Sequence, residues 1–231
     1  MVNLILAALA FVGGHFLLSS TALRGLLAQR LGERGFAGLF SLLAIAALLW
    51  LVMAFRAAQA DGADLALWSF PGAGHLSLAM MPFALLLLVT GYAARNPTAV
   101  MQPAPDEAWR PTGIFTVTRH PIMWGIGLWA LLHLAASGDL AGIVFFGAFA
   151  VLAFLGTLAV DAKKRRAWPA ESWRRLAAAT SNLPFLAIAQ GRARLDWKGF
   201  GWLPLLITVA LYIAIVWWFH PAVLGAPLVS Q

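Results

Sequence analysis

The chain has 231 residues, 61% hydrophobic and only 11% charged, with a mean hydropathy of +0.82; a soluble domain carries about 25% charge, so this is the composition of an integral membrane protein. Its net charge of +7 does not point to nucleic acid, because membrane chains gather Lys and Arg on one side of the bilayer. The absence of cysteine excludes disulfides, thiolate metal sites, iron–sulfur clusters and Cys nucleophiles.

A helix needs about 20 apolar residues to cross a bilayer. Six stretches qualify in chain order, roughly 2–22, 36–55, 75–94, 120–136, 140–160 and 202–220, so the fold class is all-α, a polytopic membrane helix bundle in a single integral domain over 1–231. The first stretch starts Met-Val-Asn with no basic residue before it, and Arg24 follows it, an order that anchors a helix and argues against cleavage. The fourth is short, and the tight Ser137-Gly138-Asp139 turn after it makes a hairpin with the fifth. The 22–35 loop holds three basic residues, the 95–119 loop three and the 161–201 loop nine, leaving only Arg56 elsewhere. The positive-inside rule then predicts a multi-pass membrane protein with both termini outside and these three loops in the cytoplasm. Reporters fused at Gly62 or Gly138 are expected outside, and at Asp106 or Arg166 inside. Within the last loop, Trp173, Leu176, Ala177 and Thr180 share a face that excludes Arg174 and Arg175, and Pro169 suits a first helical position. Residues 169–180 therefore read as a helix lying in the cytoplasmic interface.

Histidine in hydrocarbon needs a partner. His75, His120 and His220 fall near membrane edges, where water can serve. His15 lies 12 residues past Asn3 and His133 12 residues past Pro121, about 18 Å along their helices, which places both deep. Phe11, His15 and Ser19 share a face, as do Gly125, Trp129 and His133, and Gly13 and Gly14 would let a flat ring approach the backbone. Zinc wants three or four ligands, whereas all nine acids fall in loops or at helix ends; haem needs one or two axial ligands and an apolar slot. Interhelical hydrogen bonding is the plain alternative. Arg119 and His120, just before Pro121, make an anion-friendly edge at the start of the fourth helix, or simply an interface anchor.

The runs GGHFLLSS, LGERGFAGLFSL, TRHPIMWGIGLWALLHLAASGDL and DAKKRR…W…TSNLPF together resemble the NnrU family, which includes 15-cis-ζ-carotene isomerase, over about residues 10–190; the last apolar helix, about 202–220, lies beyond them. The resemblance implies a membrane haem b protein with His15 and His133 as iron ligands and catalytic residues, and with Arg119 and His120 as candidate partners of the haem propionates. It implies either a redox-gated cis–trans isomerase of a hydrophobic polyene or a non-enzymatic haem factor of denitrification that meets nitric oxide. Its other implied partner is membrane lipid, with no nucleic acid, and its implied setting is the bacterial inner membrane, with both termini periplasmic. Where some isomerase members have a cysteine three residues before the second ligand, this chain has Ala130, so no thiolate can replace the histidine. On the propionate reading, Arg119→Ala should weaken cofactor retention without unfolding the protein.

Arg-His-Pro at the start of a short helix, followed by a hairpin and a basic tail, also resembles isoprenylcysteine and phospholipid methyltransferases, which bind S-adenosylmethionine at the cytoplasmic face. Their downstream acidic pair is not present; the matching region reads Asp161-Ala162-Lys163-Lys164.

Overall fold

The computed structural model describes residues 1–61, 65–99 and 102–224; Gly62, one of the reporter positions, lies outside them. Nearly all of the regular structure is helical. α1 is Val2–Ser20, α2 Ala22–Ala60, α3 Ala73–Ala93, α4 Pro121–Ser137 and α5 Leu140–Ala167. They are followed by α6 Ala170–Ala179, the single turn α7 Leu186–Ala189, α8 Trp202–Ala214 and α9 His220–Leu224, the last two joined by a π-turn over Ile215–Phe219. Among the described residues, five segments are long and apolar enough to cross a membrane: α1, α2, α3, α5 and Trp202–Val223. The sixth expected span is α4, apolar and 17 residues long, about 26 Å.

The expected loop at 22–35 is instead helical. α2 begins at Ala22 and is interrupted only at Gly32 (φ 72, ψ 163), so a basic helical arm of 22–31 leads into the spanning segment. Leu23, Leu26, Leu27 and Leu31 carry a helical period through that arm; its two arginines, Arg24 and Arg30, mask the pattern.

The chain divides into two compact units, one of residues 1–73 and 130–156, the other of 74–129 and 157–231. In the first, Leu4, Ala7, Ala8 and Phe11 form the buried stripe of α1, and Leu51, Ala54 and Ala58 that of α2. Trp50 Nε1 donates to Asn3 Oδ1 at 3.0 Å, while the His15 ring meets Phe40, so α1 and α2 run antiparallel. The turn before α5 is held by the 65–68 segment, whose Leu67 and Trp68 amides both donate to the Gly138 carbonyl. Gly138 has φ 67, and a Cβ there would lie 2.2 Å from the Trp68 carbonyl oxygen. Only glycine satisfies both conditions. Asp139 then caps α5 by accepting the Gly142 amide.

In the second unit, α3 and α4 approach closely at Gly125, where a Cβ would meet Leu88 Cγ at 2.7 Å and the Ala84 carbonyl at 2.9 Å. This glycine serves the close packing of α3 against α4. Tyr212 donates to the Leu78 carbonyl at 2.9 Å and ties α8 to α3. α6 forms where expected, with Pro169 at the N-cap, one position before the first turn. Its apolar stripe is covered by protein, since Leu176 and Thr180 are fully buried.

Candidate functional site

The four residues singled out in the sequence occupy two settings. In the first unit, His15 sits on α1, five residues from its end at Ser20, and His133 on α4, four residues from its end at Ser137. Each lies in the last third of its helix, because depth measured from one end overlooks how soon the helix stops. The His15 ring lies 4.7 Å from Phe11 and 5.5 Å from Phe40, both edge-on. Its Nδ1 donates to the Phe11 carbonyl at 2.7 Å. A carbonyl only accepts, so Nδ1 carries a proton, and Nε2 is the ring nitrogen left to face another partner. The His133 ring stacks on Phe146 at 5.0 Å. Between the two imidazoles run Phe11, Phe149, Phe145 and Phe146, in ring contact at 5.1–5.3 Å. The structure thus sets both histidines on one aromatic ladder, with a phenylalanine against each. Among the described residues no three His, Asp or Glu side chains gather as a metal ligand set.

In the second unit, Arg119 and His120 come together on a residue that sequence reasoning missed. Asp161 lies within α5, six residues before its end, not in a loop or at a helix terminus as expected. Arg119 Nε donates to its two oxygens at 2.9 and 3.1 Å, and Nη2 adds a further bond. His120 Nε2 is 2.7 Å from Asp161 Oδ1, and its Nδ1 lies 3.4 Å from Thr98 Oγ1. The cluster is secluded, with side-chain exposures of 12% for Arg119, 2% for His120 and 15% for Asp161. The Arg119 guanidinium also lies 5.6 Å from the Trp173 ring centroid. One carboxylate therefore satisfies both the Arg119 guanidinium and the His120 imidazole. A propionate would have to take Arg119 from Asp161.

The segment carrying this pair is fastened from below. The Arg119 amide donates to the Ser181 carbonyl at 2.9 Å, and the Phe185 amide to the Val117 carbonyl at 2.9 Å. Thr118 Oγ1 donates to the Asn182 carbonyl at 2.6 Å. The Asn182 side chain accepts from Trp124 Nε1 and donates to Thr157 Oγ1. The TRHP and TSNLPF motifs, far apart in sequence, are thus one structural element. Lys164, buried one turn beyond Asp161, donates to the carbonyls of Ala99 and Gln102 at 3.0 and 3.1 Å. Asp161 could have been found by counting outward from the 137–139 turn. The two arms of the hairpin bring residue 120 level with about residue 157, and Asp161 is the first acid beyond that point.

A bundle of apolar helices long enough to cross a bilayer, with a secluded Arg–His–Asp cluster where α4 begins, defines a multi-pass helical membrane protein. The sequence model described as NnrU protein matches residues 3–228, and the chain belongs to that family. The match covers α8 as well as the region whose motifs carry the resemblance. No curated protein and no solved structure shows a significant match to the chain.

Proposed function

We propose that the protein is a haem-b-binding membrane protein in which His15 would hold the iron; four phenylalanine rings stand between it and His133, so His133 is a candidate second ligand only if haem insertion draws the two histidines together. The observation that carries this reading is the His15 Nδ1–Phe11 carbonyl bond. Metal-bound histidines almost always donate their other ring N–H to such an acceptor, which fixes the tautomer and turns the free nitrogen toward the metal. Haem when bound supplies an iron whose coordination and redox state can change. Around it, the chain's own contribution is exclusion of water by Phe11, Phe40, Phe145, Phe146 and Phe149 and orientation of the imidazole by the α1 backbone. Such hydrocarbon-like surroundings suit an apolar polyene, so cis–trans isomerisation is the activity we assign. The non-enzymatic nitrogen-oxide role implied by the same family is its competitor.

The test is the absorption spectrum and haem-to-protein ratio of the purified chain and its His15→Ala, His133→Ala and His220→Ala variants. The parent is expected to show a Soret band, His15→Ala to lose haem or shift its spectrum, and His220→Ala to change neither. Loss in His133→Ala would establish the second ligand. Full haem and an unshifted spectrum in His15→Ala would end the proposal. Isomerisation of a cis-polyene by the haem-loaded chain, against nitric oxide binding without turnover, separates the two activities.

A second reading has its own observation. The bidentate Arg119–Asp161 pair with His120 puts one acid where the methyltransferase resemblance asks for two. Calorimetric binding of S-adenosylmethionine by a chain without a Soret band would favour it.

A further inference from the structure

A groove of about 560 Å³ opens between the end of α5 and the flank of α6, lined by Arg165, Arg174, Trp173, Ala170, Ala177 and Ala178. Its place in the bilayer follows from α5. Starting at Leu140, about 20 residues at 1.5 Å each cross a 30 Å hydrocarbon layer and end near residue 160. The surface of α5 agrees, for Leu155 and Leu158 are 50% and 60% exposed and the next turns carry Asp161, Lys163, Lys164, Arg165 and Arg166. Arg165 then stands about 8 Å beyond the hydrocarbon edge, at the depth of lipid headgroups.

Both arginines of the groove are exposed. Arg174 uses Nε and Nη2 on Glu171, a surface pair of the kind that contributes little and yields readily to a competing anion. Glu171 is held below its usual carboxylate range chiefly by that hydrogen bond. Trp173 offers an amphipathic ring of the type that seeks the interface, and the three alanines leave a smooth apolar floor. Two guanidiniums, which match phosphate oxygens in a bidentate fork, stand over this floor at headgroup depth.

We propose that this groove binds the phosphate of an anionic phospholipid from the surrounding bilayer, with Arg165 and Arg174 on the phosphate and Trp173 and the alanines against the glycerol backbone. The site is independent of the haem reading, and its test has no haem or activity readout.

The experiment is native mass spectrometry of the purified full chain titrated with phosphatidylglycerol or phosphatidylcholine. The parent should retain phosphatidylglycerol in preference. Arg165→Gln/Arg174→Gln should lose that preference, at about fivefold in apparent affinity for each arginine. Arg30→Gln/Arg34→Gln, an equal charge loss on the 22–31 arm and beside it, should keep it. Glu171→Gln should tighten binding, because it removes the competing carboxylate. The proposal is overturned if the groove variant binds like the parent, if the Arg30→Gln/Arg34→Gln control loses as much, or if Glu171→Gln weakens binding. Displacement of the lipid by inorganic phosphate alone at millimolar concentration would assign the groove to the free anion and overturn a lipid occupant.

Discussion

Replacing Asp161 by asparagine keeps the shape of the side chain and removes its charge. Arg119 and His120 donate three close bonds and a fourth longer one to that carboxylate, and all three side chains are at least 85% shielded. An asparagine can accept at one oxygen only and turns an NH2 group toward a cation. Removing one partner of a shielded ion pair costs about 3–5 kcal/mol, because the remaining charge keeps its desolvation penalty without its attraction. For a chain of this size each kcal/mol moves the melting point by about 2–4 °C, so Asp161→Asn should melt roughly 6–20 °C below the parent. The assay is intrinsic-fluorescence thermal unfolding of both proteins in the same detergent. Glu171→Gln, which breaks an exposed pair, is the control and should leave the melting point unchanged. If Asp161→Asn melts within 2 °C of the parent, the cluster does not stabilise the fold and the argument from its burial fails. The same geometry alters the expectation for Arg119→Ala. That variant strands Asp161 and should lower the melting point, whether or not haem is retained.

Gly138→Ala forces a left-handed conformation on a residue with a Cβ and drives that atom into the Trp68 carbonyl; a destabilisation of at least about 2 kcal/mol is expected, read by the same melt. Arg192→Ala removes three bonds to the carbonyls of Ala177, Ala178 and Thr180 that close the C-terminal end of α6. The expected loss is about 1 kcal/mol, with faster amide exchange confined to α6 as the measurement. Alkaline-phosphatase fusions at Gly138 should be active and at Arg166 inactive; activity at Arg166 would reverse the orientation inferred from charge.

The spans were legible because lipid demands an unbroken apolar run, and the hairpin because Gly138 and Asp139 mark a turn that few other residues permit. The helix over 170–179 was legible from its period, but what covers it was not. An amphipathic stripe reads the same whether lipid or protein lies against it, and here protein buries Leu176. The helical arm of 22–31 was missed because arginines tolerate a helix and a loop equally. Asp161 was missed because a lone acid beside Lys-Lys-Arg-Arg reads as a solvated surface, and only the folded hairpin reveals that Arg119 and His120 converge on it. For His15 the sequence supplied the aromatic neighbour Phe11 but not the backbone bond, which depends on the rotamer.

The pairing of TRHP with TSNLPF has a consequence for how the chain is made. Arg119 and Asp161 are 42 residues apart, and Thr118 and Asn182 are 64 apart. Contacts at such separations close large loops and form late relative to local helices. During synthesis α4 and α5 are complete before Asn182 has been added, so the nascent hairpin carries Arg119 without its latch. Docking of the 181–185 segment under the start of α4 can follow only after that point. A nascent chain that has emerged past Asp161 but not yet as far as Asn182 would therefore hold an ion pair free to form but not yet fastened.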